Sequence, residues 1–175
     1  MSRTVTAAVR KEAILSPCGR YRYLLTRYFG EEGAPLTFVM LNPSTADSEH
    51  DDPTIRRCVG FARSLNYRAI RVVNLFAWRA TDKSELPKLS YDKAVGPKSD
   101  DYIDAELRDS VRVVAAWGGH SGPLGQMVKD RALQVGAMCS RYRRILWCLG
   151  TAKDGHPRHP LYLPKDAQFD VWRGL

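Results

Sequence analysis

Long apolar runs are missing from this sequence. The longest are strand-sized, such as LTFVML at 36–41 and AIRVVNLF at 69–76. A helix that crosses a bilayer needs about 20 apolar residues, so a membrane protein of that kind is not expected. The opening MSRTVTAAVRKEA holds no apolar core of the type a secretory signal requires, which points to a cytoplasmic protein. Cysteine is scarce: the four are Cys18, Cys58, Cys139 and Cys148. None forms C-x-x-C and no spacing suits zinc or an iron–sulfur cluster, so neither a metal nor another cofactor is expected and the thiols should be reduced. Acidic residues are outnumbered, 19 against 27 lysines and arginines, for a formal net charge of +8. That balance favours a polyanionic partner such as nucleic acid, although net charge alone does not choose one. Internal repeats, low-complexity tracts and an obvious linker are also lacking. The 175 residues therefore read as a single domain, 1–175, long enough to bury a real core.

What is present is an alternation of strands and helices. Residues 13–29 read as an edge hairpin turned at Pro17–Gly19, with its basic residues outward and its aromatics in the strands rather than in a nucleic-acid platform. LTFVML (36–41) has the continuous apolar character of a buried parallel strand. In DDPTIRRCVGFARSLNY, Asp52 suits an N-cap and Pro53 the first helical position. Ile55, Cys58, Val59, Ala62 and Leu65 then recur at helical spacing, with Arg56, Arg57 and Arg63 on the opposite face. Further strands are expected at 69–76, 111–117 and 144–150, further helices at 99–110 and 123–138, and a last short strand at FDVW. The stretch 81–98, with Pro87, Gly96 and Pro97, reads as a flexible loop. The fold class is α/β: a three-layer α/β/α sandwich with a central, mainly parallel four-stranded sheet over 36–164, plus the N-terminal β-hairpin.

Ligands of open α/β sheets bind outside the carboxyl ends of the strands. Those ends here are Asn42-Pro43-Ser44, Asn74 followed by Phe76 and Trp78, Trp117-Gly118-Gly119-His120, and Gly150-Thr151 leading into AKDGHPRHPLYLP. Asn42-Pro43 also reads as a turn signal. Asn74, inside an apolar strand, must either tie down a loop or read a ligand. Gly119-His120 sits in a turn that could also admit a phosphate to backbone N–H groups. Asp47, Glu49, Asp51 and Asp52 are explained by a solvated loop and a helix cap, or one of them is a general base.

In order, these rim elements resemble the uracil-DNA glycosylase superfamily, in particular its mismatch-type members with an Asn-Pro motif. The resemblance rests on Asn42-Pro43 after the first strand, Asn74 in VVNLFAWR, and the loop His159-Pro160-Leu161-Tyr162-Leu163. Met40 stands where the superfamily usually has Gly, and Leu161 where it usually has Ser. The chain also resembles a bacterial and phage family known only as a domain of unknown function, through LNPSTAD, DPT and GHPRHPLYL. The glycosylase resemblance implies a hydrolase that cleaves the N-glycosidic bond of a damaged or modified base, of phage type included, flipped out of DNA. It implies catalytic roles for Asn42 and His159, with Asp47 and Asp51 as candidate bases. Asn74, Phe76, Trp78, Pro43 and Ser44 would bind the base. Lys153, His156, Arg158, Gly119 and His120 would meet the DNA backbone, and Leu161 or Leu163 would fill the vacated stack. A monomer acting in DNA repair or phage defence is the corresponding expectation. An enzyme of free nucleotides or nucleosides, and an inactive nucleic-acid-binding module, are the alternatives.

Overall fold

The computed structural model describes residues 10–174. Seven strands form one mixed sheet: β1 Arg10–Leu15, β2 Arg22–Tyr28, β3 Pro35–Met40, β4 Ala69–Asn74, β5 Val113–Ala115, β6 Leu146–Cys148 and β7 Asp170–Val171. Their spatial order is β1-β2-β4-β3-β5-β6-β7. The four strands expected from the apolar runs lie side by side in the middle, and each pairs in parallel with its neighbours. Antiparallel strands flank them, β2 and β1 on one side and β7 on the other. The sheet is thus wider than the four strands anticipated, because the hairpin and the tail join it rather than standing apart.

The helices are α1 Pro53–Ser64, the short α2 Tyr91–Val95, α3 Ser99–Asp109 and α4 Gly122–Arg141. Alternation along the central strands sorts side chains onto two cores. Phe38, Met40, Val72 and Val114 face α1 through Ile55, Cys58 and Phe61. Val39, Val73, Val113 and Ala115 face α3 and α4 through Ile103, Leu107, Val128 and Val135. Both sheet faces are covered, which is why these strands read as unbroken apolar runs. Asp52 caps α1 by accepting from the Ile55 N–H at 2.8 Å, with Pro53 in the first turn.

Two expectations need correction. The hairpin does lie at the sheet edge, with β1 outermost and exposed, but β2 pairs on both sides and its basic residues are not outward: Arg22 and Arg27 are 3% and 0% exposed. Its aromatics pack internally, Tyr23 stacking on Tyr102 of α3 at 5.2 Å. Nor is 81–98 an unstructured loop. It forms a 3-10 turn at Lys83–Lys88 and then α2, and it buries Leu86 and Ala94 completely in the α3–α4 core. Proline at 87 ends a 3-10 turn without harm, and Gly96 supplies the positive φ (89°) that leaves α2.

Candidate functional site

A cavity of about 580 Å³ opens at the carboxyl ends of the parallel strands. β3 delivers Asn42 and Ser44, β4 delivers Asn74, β5 delivers Trp117 to His120, and the segment after β6 delivers Arg158, His159, Leu161 and Tyr162. Residues separated by more than a hundred positions therefore share one site. Asn42, Asn74 and His159, singled out by the strand ends together with the glycosylase resemblance, all line it.

The polar groups are held in defined orientations. The Asn42 amide nitrogen donates to the carbonyls of Ala80 (2.8 Å) and Pro43 (3.0 Å), and the Ala80 N–H donates to Pro43 in return. These bonds clasp the loops after β3 and β4 and leave the Asn42 oxygen as an acceptor at the cavity. Asn74 is 3% exposed, and its oxygen accepts from Arg22 Nη2 at 3.2 Å. Its NH₂ is then the group it can present to a ligand. Arg22 also donates to the Ala46 carbonyl at 2.9 Å. Burial lowers the Arg22 pKa to about 10.

His120 and His159 are fixed by their backbone contacts. The His120 Nε2–H donates to the Trp117 carbonyl at 2.9 Å, which leaves Nδ1 as an acceptor facing Lys83 Nζ at 3.5 Å. His159 Nδ1 accepts from the Leu161 N–H at 3.3 Å, so in the neutral ring Nε2 carries the proton. Burial holds both imidazoles below their ordinary value, His159 further through His120 and Lys83 nearby. The His159 loop is seated by the Gly118 N–H donating to the Pro157 carbonyl at 3.0 Å. Gly118 has φ 79°, and a Cβ there would come within 3.3 Å of His159 Cβ, so glycine permits both the turn and the approach. Arg57 of α1 secures the far side of the loop by donating to the carbonyls of Pro160 and Leu163.

Several candidates fall elsewhere. Asp47 does not reach the cavity; its carboxylate accepts from the Glu49 and His50 N–H groups, which bring its pKa down to about 2. Asp51 is bound to Arg27 at 2.6 Å and to Lys11 at 3.3 Å. Phe76 is fully buried against Tyr91 in the core. Trp78 packs on Tyr21, with Lys93 over its ring. Leu163 is buried in the core on the α1 side. His156 is buried, and Lys153 is exposed outside the cavity lining. Pro43 contributes its carbonyl to the loop clasp rather than a surface. The arginine face of α1 is also engaged within the molecule: Arg56 with the Asp51 carbonyl, Arg57 with the His159 loop, and Arg63 over Phe29. Ser44, Gly119, His120, Arg158 and Leu161 do line the cavity.

Residues of the site that were missed include Arg22, Asp52 as a lining carboxylate, Asp82, Lys83 and the exposed Tyr162. Asp52 carried a visible signal, but as a helix cap. Asp82 starts the 3-10 turn, accepting from Ser84 N–H at 2.9 Å. Arg22 gave none, because a basic residue in a hairpin reads as exposed. No group of three or more His, Cys, Asp or Glu side chains among the described residues could hold a metal ion. No helix among them is long and apolar enough to cross a membrane.

A family model described as "Protein of unknown function (DUF1643)" matches residues 22–161. The chain belongs to that family. The matched span runs from Arg22 to Leu161, so it takes in the cavity wall from β2 to the His159 loop. Neither a search of curated proteins nor one of solved structures found a match.

Proposed function

We propose that the chain is an N-glycosidic bond hydrolase that acts on a damaged or modified base flipped out of DNA. The observation that carries this reading is the convergence of Asn42, Asn74 and His159 on one cavity, with the exposed side chains of Leu161 and Tyr162 at the same site. A cavity of about 580 Å³ is roomy enough for a nucleotide-sized group. An extruded base would meet the Asn74 NH₂ and the His159 Nε2–H along its edge. Leu161 and Tyr162 would occupy the gap left in the stack.

Cleavage breaks the bond between C1′ and the base nitrogen, and the electron pair leaves with the base. A water oxygen then bonds to C1′ and its proton ends on the base. The Asn42 oxygen orients that water. Asp52 replaces Asp47 and Asp51 as the carboxylate that takes the proton in passing, since it lines the cavity and they do not. Donation from His159 stabilises the charge that grows on the departing base.

The test is incubation with single- and double-stranded oligonucleotides carrying uracil, oxidised, alkylated and bulky modified pyrimidines. Abasic sites are read by alkaline strand cleavage. At least one substrate should be cleaved, and Asn42→Ala and His159→Ala should each slow it by about 10²-fold or more. Asp52→Asn keeps the helix cap, so it should slow turnover while changing stability by less than about 1 kcal/mol. Tight DNA binding without abasic sites on any substrate would sink the reading in favour of a binding module. Stabilisation by free nucleotides without DNA binding would move the site to nucleotide chemistry.

A further inference from the structure

Three arginines are almost wholly buried: Arg22, Arg27 and Arg131. Two of them are neutralised. Arg27 holds the Asp51 carboxylate at 2.6 Å, and Arg131 is bound to Asp100. Arg22 is the exception. It forms no ion pair with any carboxylate among the described residues, and its oxygen partners are a backbone carbonyl and the neutral amide of Asn74. Its Nε is buried without a hydrogen bond. Asp52 and Asp47 act on Arg22 only from beyond ion-pair distance, and a buried charge without a directly bonded counter-charge is costly. Arg22 is also the only one of the three that lines the cavity.

We infer that Arg22 makes the buried wall of the cavity an anion-recognition subsite, so that the natural ligand carries a carboxylate or phosphate group that docks beside Asn74. The ligand then supplies the direct ion pair that Asp52, lining the same cavity, does not make with Arg22. Asn74 has a second part in this arrangement, because its oxygen orients the guanidinium and its NH₂ adds a donor. Within the proposed hydrolase the group would be an acidic substituent on the extruded base. A nucleotide phosphate would satisfy the same chemistry.

The experiment is calorimetric titration of the protein without DNA, so it does not depend on base release. The probes are orotate (a pyrimidine bearing a carboxylate), uncharged uracil and inorganic phosphate, at low ionic strength. The variants are Arg22→Lys, Arg22→Gln and Asn74→Asp. Orotate or phosphate should bind wild type about ten-fold or more tightly than uracil. Arg22→Lys should keep part of that preference, and Arg22→Gln should lose it. Asn74→Asp places a carboxylate against the guanidinium; it should raise the melting temperature of the unliganded protein and abolish anion binding. If Arg22→Gln does not fold, Asn74→Asp carries the test. A preference for orotate assigns the subsite to the base, and a preference for phosphate assigns it to a nucleotide; either supports it. The inference is overturned if wild type binds neither anion, or if Asn74→Asp binds them as wild type does. Failure to release any base from DNA would leave these outcomes intact and would count against the hydrolase alone.

Discussion

His120 and His159 show how much one buried ring can report. Burial disfavours the charged form of both in the folded chain and holds their pKa below the ordinary 6.5. The unfolded chain therefore binds more protons than the folded one as the pH falls through that value, and stability drops on acidification. The expected outcome is a melting temperature that declines from about pH 7.5 to pH 5.5, with a shallower decline in His120→Gln and His159→Gln. A scan of thermal unfolding against pH measures it. The opposite slope would mean that the rings gain a carboxylate partner on folding. At the same scale Asp51 is a structural residue. Arg27 is fully buried, and Asp51 is its only carboxylate partner among the described residues. Asp51→Asn should cost about 3 kcal/mol in chemical denaturation, as expected when a buried charge loses its partner, while per-molecule activity of the folded fraction stays close to wild type.

At the scale of elements, the site is made by loops tied to one another rather than by any one of them. Asn42 bonds the loop after β3 to the loop after β4, and Gly118 bonds the loop after β5 to the His-Pro segment. Arg57 connects α1 to that same segment through two carbonyls. Truncating Arg57 should loosen the His159 loop without touching the cavity itself. If the chain is the proposed hydrolase, Arg57→Ala is expected to lower kcat by about ten-fold or more, since small displacements at a catalytic group are costly. Its stability should fall by only about 1–2 kcal/mol, the worth of hydrogen bonds to a charged donor. Comparing single-turnover rates with denaturation midpoints separates the two effects. The aromatic, basic strand β2 earns its place differently. It carries Arg22 into the cavity and Arg27 under the 47–51 loop, the two guanidiniums donating to the neighbouring carbonyls of Ala46 and Asp47.

For the molecule as a whole, charge becomes the deciding quantity. A net charge of +8 on 175 residues predicts an electrostatic share in any DNA complex. If three phosphates are neutralised, affinity should fall about 40-fold between 50 and 200 mM salt. Fluorescence anisotropy with a labelled duplex reads that slope directly. A flat response would exclude a phosphate-tracking surface and favour a small-molecule ligand. The acidic residues of the 47–52 loop do not oppose such a surface in full, because Asp51 is paired and Asp52 lies at the cavity.

The sequence alone determined the parallel core of the sheet, the start of α1 at Asp52-Pro53, and the gathering of Asn42, Asn74 and His159 at one rim. Each of these follows from a local pattern: apolar runs long enough for strands, a cap beside a proline, and the rule that parallel strands point their carboxyl ends the same way. Only the tertiary structure decided which charges are buried. Asp47, Asp51 and Asp52 are near-identical neighbours in sequence, yet one closes a turn, one neutralises Arg27 and one lines the cavity. Arg22 and Arg27 looked like a solvated hairpin and are core residues, because β2 turned out to be an interior strand. Burial and pairing depend on partners far away in the chain, and no local pattern records them.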